Sequence, residues 1–145
     1  MLPPMKRVLA VIVLGIALAA CGGEGASPST SAGLEGTSWT LVKIGDQEIT
    51  LETPPTLTVG ADGAVSGSTG CNTYNGTATI EGDSISFGDL ATTMVHCSGA
   101  PGITETAFLA AVNEVEAFAI DSQGRLVLED GVVLVFEPAE EVPAS

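Results

Sequence analysis

Three cysteines, Cys21, Cys71 and Cys97, and a single histidine, His96, are the residues of this 145-residue chain with the most chemistry to offer. His96 directly precedes Cys97, which invites a thiolate and imidazole pair able to act as a nucleophile and its base. Such a pair needs both side chains on one side of the backbone. Neighbours on a strand point to opposite faces, so adjacency counts against the pair unless the segment is a loop. A reactive thiol also needs a depressed pKa, usually from a positive neighbour, and beyond residue 20 the only Lys or Arg residues are Lys43 and Arg125. Metal chemistry fares no better. One histidine and two internal cysteines give no zinc spacing, and no loop alternates oxygen ligands towards a closing Glu as an EF-hand does. Glu81/Asp83, Glu114/Glu116 and Glu129/Asp130 are carboxylate pairs at turn tips or on a helix face, where solvated side chains are the rule. The residues imply no metal, no cofactor and no catalytic residue.

Cys21 belongs to a different chemistry. Lys6 and Arg7 form a basic opening, Val8 to Leu18 an apolar stretch, and Leu18-Ala19-Ala20-Cys21 ends it on small residues before the thiol, the layout of an export signal. Met5 is as good a start as Met1. The Leu-Ala-Ala-Cys ending resembles the bacterial lipobox, whose cysteine is lipidated before cleavage makes it the first residue. Residues 1–20 are thus expected to be a lipoprotein signal peptide and Cys21 the lipidation site. A membrane-crossing helix is the rival, but Val8 to Ala20 is 13 residues against roughly 20 needed to span a bilayer. The expected location is exported and lipid-anchored, on a cell membrane or an outer membrane. Gly22 and Gly23 lack the aspartate linked to inner-membrane retention, which alone does not choose between the two.

With Cys21 assigned to lipid, Cys71 and Cys97 remain as an even pair in an exported domain, where disulfides form and persist. Closing the 27-residue segment between them is worth roughly 3.5 kcal/mol on the chain-entropy account. The free-thiol alternative, Cys71 or Cys97 with His96, stays open at this point.

Removing the signal leaves Lys43 and Arg125 against 18 acidic residues, a net charge of −16. Nucleic acid and anionic lipid surfaces both require positive patches, so they are excluded as partners. A cationic ligand or peptide would be steered towards such a surface. The plainer reading is a soluble acidic surface, since no run of like charge is long. Residues 21–33 are Gly, Ser, Thr and Pro rich and make a tether after the lipidated cysteine, with a reach of roughly 20 Å. Residues 138–145 form an acidic tail expected to be disordered. One domain, residues 34–137, lies between them.

Within that domain the pattern is short strands broken by turn signals: Trp39 to Ile44, Leu57 to Val59, Ala64 to Ser68, Thr77 to Ile80, Ser84 to Phe87, Ala117 to Ile120, Arg125 to Glu129 and Val132 to Glu137. Gly60 to Gly63, Glu81-Gly82-Asp83, Asp121 to Gly124 and Asp130-Gly131 punctuate them with residues suited to positive φ. This rhythm predicts an antiparallel meander. One segment departs from it: Ile103 to Val115 spaces Phe108, Leu109, Val112 and Val115 as one helix face, with Glu105 in its first turn. The expected class is α+β, a curved, mostly antiparallel, barrel-like sheet with one amphipathic helix. Gly67 to Gly76 is glycine-rich but lacks the Lys-Ser/Thr ending of a phosphate loop, so it predicts a strand entering a tight loop pinned by Cys71. Asn75-Gly76-Thr77 matches a glycosylation sequon, which has no consequence in a bacterially exported chain.

Leu34 to Leu41, Gly70-Cys71-Asn72-Thr73-Tyr74, Ala91-Thr92-Thr93 with Cys97 after it, the Glu105 to Val112 helix and Leu134 to Glu137 together resemble the META domain of HslJ-like heat-shock lipoproteins. The resemblance implies a small antiparallel β fold with one helix, exported and often lipid-anchored, linked to stress tolerance rather than to a reaction. It carries no catalytic residue, and its motif cysteines fall on Cys71 and Cys97. One departure stands out: where the family commonly places a basic residue after Ala-Thr-Thr, this chain has Met94, Val95 and His96. The expectation is a non-enzymatic, lipid-anchored protein of the cell envelope, in envelope maintenance or stress tolerance, a monomer whose partners are the membrane through Cys21 and an envelope protein. An acidic binding module for a cationic ligand is the alternative, and a thiol enzyme a third.

Overall fold

The computed structural model describes residues 34–139. The expected signal segment, the expected lipidation site Cys21, the expected tether and residues 140–145 of the expected tail lie outside the described residues. The strands are β1 (Thr37–Ile44), β2 (Gln47–Glu48), β3 (Thr56–Val59), β4 (Ala64–Ser68), β5 (Thr73–Glu81), β6 (Ser84–Phe87), β7 (Ala91–Thr92), β8 (Ala117–Ile120), β9 (Leu126–Glu129) and β10 (Leu134–Pro138), and the helix is α1 (Ala100–Val112). From β1 the sheet runs through β3, β4, β5, β6, β8 and β9 to β10, which pairs back onto β1. All these pairings are antiparallel. Closure leaves no long edge in the barrel wall, which removes the hazard of unpaired backbone groups. β2 and β7 are short additions beside β1 and β5. The sheet and single helix are those the strand rhythm predicts.

Alternation along each strand sends every second side chain inward. Trp39 and Leu41, Leu57 and Val59, Tyr74 and Ala78, Leu126 and Leu128, and Leu134 and Phe136 all lie in one buried cluster. Between β6 and β8 the wall is thin: only Ser84 and Ala117 pair in register, flanked by Ile85 N donating to Glu116 O at 3.1 Å and Phe118 N to Asp83 O at 2.9 Å. α1 leads into this seam and adds Phe108, Ala111 and Val112 to the same core. Phe108 meets the Tyr74 ring with centroids 5.6 Å apart, a tilted pairing favoured by the ring quadrupoles.

Turn chemistry follows the sequence closely. Asp62, Gly63, Gly82 and Gly124 take positive φ, as the turn residues predict, while in the last hairpin Asp130 rather than Gly131 does so. Gly63 has two reasons to be glycine: its φ is +78°, and a Cβ there would drive into the carbonyl oxygen of Ala78.

Several boundaries differ from expectation, most of all those of α1 and β5. α1 starts at Ala100 rather than Ile103, because Pro101 fits the first turn of a helix where its missing N–H is no loss. It ends at Val112, and Val115 is buried from the turn beyond, so the apolar spacing outlasts the helix itself. β5 resumes at Thr73, so the glycine-rich segment is a loop only over residues 69–72, and β2 and β7 are strands that the alternation is too short to mark.

The register also orients the molecule. Gly36 N bonds Val59 O and Ala139 N bonds Ser38 O, so both ends of the described chain emerge beside the start of β1. The 69–72 loop lies past the Ser68 and Thr73 pair, at the opposite end of β4 and β5 from the turn at Val59. Replacing Phe108 by Ala should cost about 3–5 kcal/mol through lost burial and an unfilled cavity, read as a lowered midpoint in denaturant titration; a change below about 1 kcal/mol would mean that α1 does not complete the core.

Candidate functional site

The Gly-Cys-Asn loop, the segment after β7 and the first turns of α1 converge at the end of the barrel away from the chain termini. Asn72 ties them together. Its Nδ2 donates to Val95 O at 3.0 Å and to Glu105 Oε2 at 2.8 Å, and its Oδ1 accepts from Val95 N at 2.7 Å and from Thr93 Oγ1 at 2.8 Å. Both amide protons and both oxygen lone pairs are thereby used. Asn72 is buried, and such a side chain is tolerated only because it is fully partnered.

Thr69, fully buried, supports the same junction. Its hydroxyl accepts from Asn72 N at 2.8 Å and Cys71 N at 3.3 Å and donates to Glu105 Oε2 in a short bond. These bonds hold the Glu105 carboxyl below the usual carboxylate range, the Thr69 hydroxyl contributing most and Asn72 adding to it against partial desolvation. Charged acceptors make hydrogen bonds roughly twice as strong as neutral ones. Glu105 therefore fastens α1 to the loop by its ionised form.

The structure joins Cys71 to Cys97, with Cα atoms 6.0 Å apart. Residues 93–98 are irregular rather than strand, so the argument from opposite strand faces does not apply to His96 and Cys97. The disulfide decides the matter instead: neither sulfur is free to serve as a nucleophile with His96. Beside the bridge lies a shallow groove of about 740 Å³ between the Val95–Gly99 segment and α1, lined by His96, Cys97, Glu105, Ala107 and Ala110 among others. Gly102 permits the close fit, since a Cβ there would collide with the Cys97 carbonyl. Met94, Val95 and Ile103 are exposed at 91, 63 and 70 %, an unusual concentration of apolar surface at one end of an acidic molecule.

No grouping of three or more His, Cys, Asp or Glu side chains able to hold a metal ion occurs among the described residues. Elsewhere, Asp121 is held below its ordinary range chiefly by the Arg125 backbone N–H, with the Arg125 Nε at 2.7 Å adding to it, and this serves the β8 to β9 turn. Sequence reasoning singled out Cys71, Cys97 and His96, and the structure brings all three to this end. It missed Thr69, Asn72 and Glu105 as a unit. Asn72 and Glu105 are 33 residues apart, and no local pattern announces that pairing; the one available signal was an asparagine beside a cysteine in a loop otherwise made of small residues.

Two outcomes check this arrangement. Glu105 has a lowered pKa in the folded state, so its contribution is complete above the ordinary carboxylate value of 4.5 and is lost as pH falls through the folded value. The stability difference between wild type and Glu105→Gln should be constant at neutral pH and shrink below about pH 4.5, measured by urea titration across pH; a flat difference would contradict the bonds to Thr69 and Asn72. Asn72→Ala should cost roughly 2–3 kcal/mol by stripping partners from buried donors and acceptors and should raise proteolytic cleavage within residues 93–98.

The chain can be set beside known proteins at this point. An NMR structure of a protein from Burkholderia xenovorans is similar with 26 % sequence identity and a TM-score of 0.63, covering 79 % of this chain and 89 % of that one. A crystal structure of a DUF4847 family protein from Bacteroides vulgatus shares the fold at 16 % identity and a TM-score of 0.55, covering 74 % of this chain and 96 % of that one. No curated protein matches the chain. The META domain matches residues 32–141, a span that takes in the whole barrel, the disulfide loop and α1, and this chain belongs to the META domain family.

Proposed function

We propose that this protein is a non-catalytic, lipid-anchored module of the bacterial cell envelope, held to a membrane through Cys21 and contributing to envelope maintenance or stress tolerance. The observation that carries this reading is Leu18-Ala19-Ala20-Cys21 followed by a Gly/Ser/Pro tether on a chain of the META family. A lone acyl chain holds a protein only marginally, whereas several make anchoring stable, so the extent of acylation sets how firmly the domain stays at the surface. The site chemistry is consistent with a non-enzyme. Asn72 and Thr69 direct their polar atoms at the loop and at Glu105, and the two cysteines are bonded to each other, so these groups hold structure rather than wait for a substrate.

The intact mass of protein extracted from its native membrane tests the anchor. A chain that begins at Cys21 and carries acyl mass is expected, and Cys21→Ser should shift the protein from the membrane to the soluble fraction. An unacylated mass, or a variant that stays on the membrane, would overturn the anchoring. The cellular role is tested by deleting the gene and challenging cells with heat and envelope-active drugs, where reduced survival is expected and wild-type tolerance throughout would count against it.

A further inference from the structure

The groove beside the disulfide holds a fixed carboxylate, and among the described residues no lysine or arginine lines it, His96 being the one basic side chain there. Glu105 is only partly buried, and its Oε2 is committed to Thr69 and Asn72, with the Asn72 backbone N–H also favouring the carboxylate. Around it Val95, Ile103, Ala107 and Ala110 supply aliphatic surface, with His96, Ser98 and Thr106 as polar lining. Neither Lys43 nor Arg125 reaches this groove; both line a separate cleft with Glu48 and Glu137. The chain's two other cationic residues, Lys6 and Arg7, lie in the segment expected to be removed as a signal.

We propose that this groove binds a basic side chain of a peptide partner, with its ammonium or guanidinium on Glu105 and its aliphatic stem along Ile103, Ala107 and Ala110. Lysine and arginine are the side chains that join an apolar stem to a cationic head, and a carboxylate held in place by two hydrogen bonds meets such a head without the entropy cost of ordering a free side chain. The acidic excess of the whole molecule steers basic partners to the surface but does not by itself choose a location. Glu105 and the aliphatic wall do. The site lies at the end of the barrel away from both ends of the described residues. The inference is independent of whether Cys21 carries lipid.

The probe is the peptide acetyl-Leu-Arg-Leu-Ala-amide, titrated at low salt into the full-length protein in neutral detergent, beside the same peptide with citrulline, which keeps the shape and lacks the charge. The citrulline peptide is expected to bind at least tenfold more weakly. Glu105→Gln should weaken the arginine peptide by a similar factor and leave the citrulline peptide unchanged, while Asp89→Asn, a carboxylate outside the groove, should alter either by less than twofold. Ala107→Trp keeps Glu105 and its partners, fills the groove, and should abolish binding of both peptides, which separates loss of the site from loss of the fold. Three results overturn the proposal: no binding of the arginine peptide, equal binding of the citrulline peptide, or equal weakening by Glu105→Gln and Asp89→Asn, the last being the mark of diffuse attraction.

Discussion

The Asn72 side chain is the constraint on which the upper end of this molecule depends. An amide has two protons and an oxygen with two lone pairs, and here all four are committed to groups from two other segments, the backbone and side chains of residues 93–95 and the carboxylate of Glu105. A hydrogen bond of this kind contributes about 0.5–1.5 kcal/mol net. Leaving a buried amide unpaired costs more, so the side chain acts as a condition on its neighbours: the loop after β7 and the start of α1 must sit where they do, or Asn72 is stranded. The Cys71–Cys97 bridge imposes the same condition covalently. The two devices are adjacent in sequence and act on the same segment.

This explains how a short irregular stretch can bear exposed apolar side chains without collapsing onto the core. Met94, Val95 and His96 are presented outward because the backbone beneath them is held on both sides, by Asn72 at Thr93 and Val95 and by the disulfide at Cys97. Among the described residues, Glu105 is the one carboxylate on the groove wall. Its ionised form is also structural.

Barrel and clamp depend on each other through α1. The helix inserts Phe108 against Tyr74, and the same helix carries Glu105 to Thr69 and Asn72. Tyr74 lies two residues after Asn72, with its hydroxyl bonded to Thr56 O at 2.7 Å and its phenol pushed to higher pKa by burial. Core packing thus fixes the helix at its middle, and the polar network fixes it one turn earlier.

Much of this was legible in the residues. Strands of period two, turns at Asp62-Gly63, Gly82 and Gly124, and a helical spacing around Phe108 are local signals, because each is dictated by the chain's own dihedral preferences and the alternation of its side chains. The pairing of Cys71 with Cys97, one of two readings the sequence left open, is present in the structure. What the sequence left undecided is long-range. Closure of β10 onto β1 and the meeting of Glu105 with Thr69 and Asn72 rest on contacts between residues tens of positions apart, which no local pattern encodes. His96 illustrates the difference. Its place beside Cys97 is a fact of sequence, but only the tertiary structure, by bonding Cys97 to Cys71 and burying Asn72 beneath the loop, makes that segment a clamp with a groove rather than a nucleophile with its base.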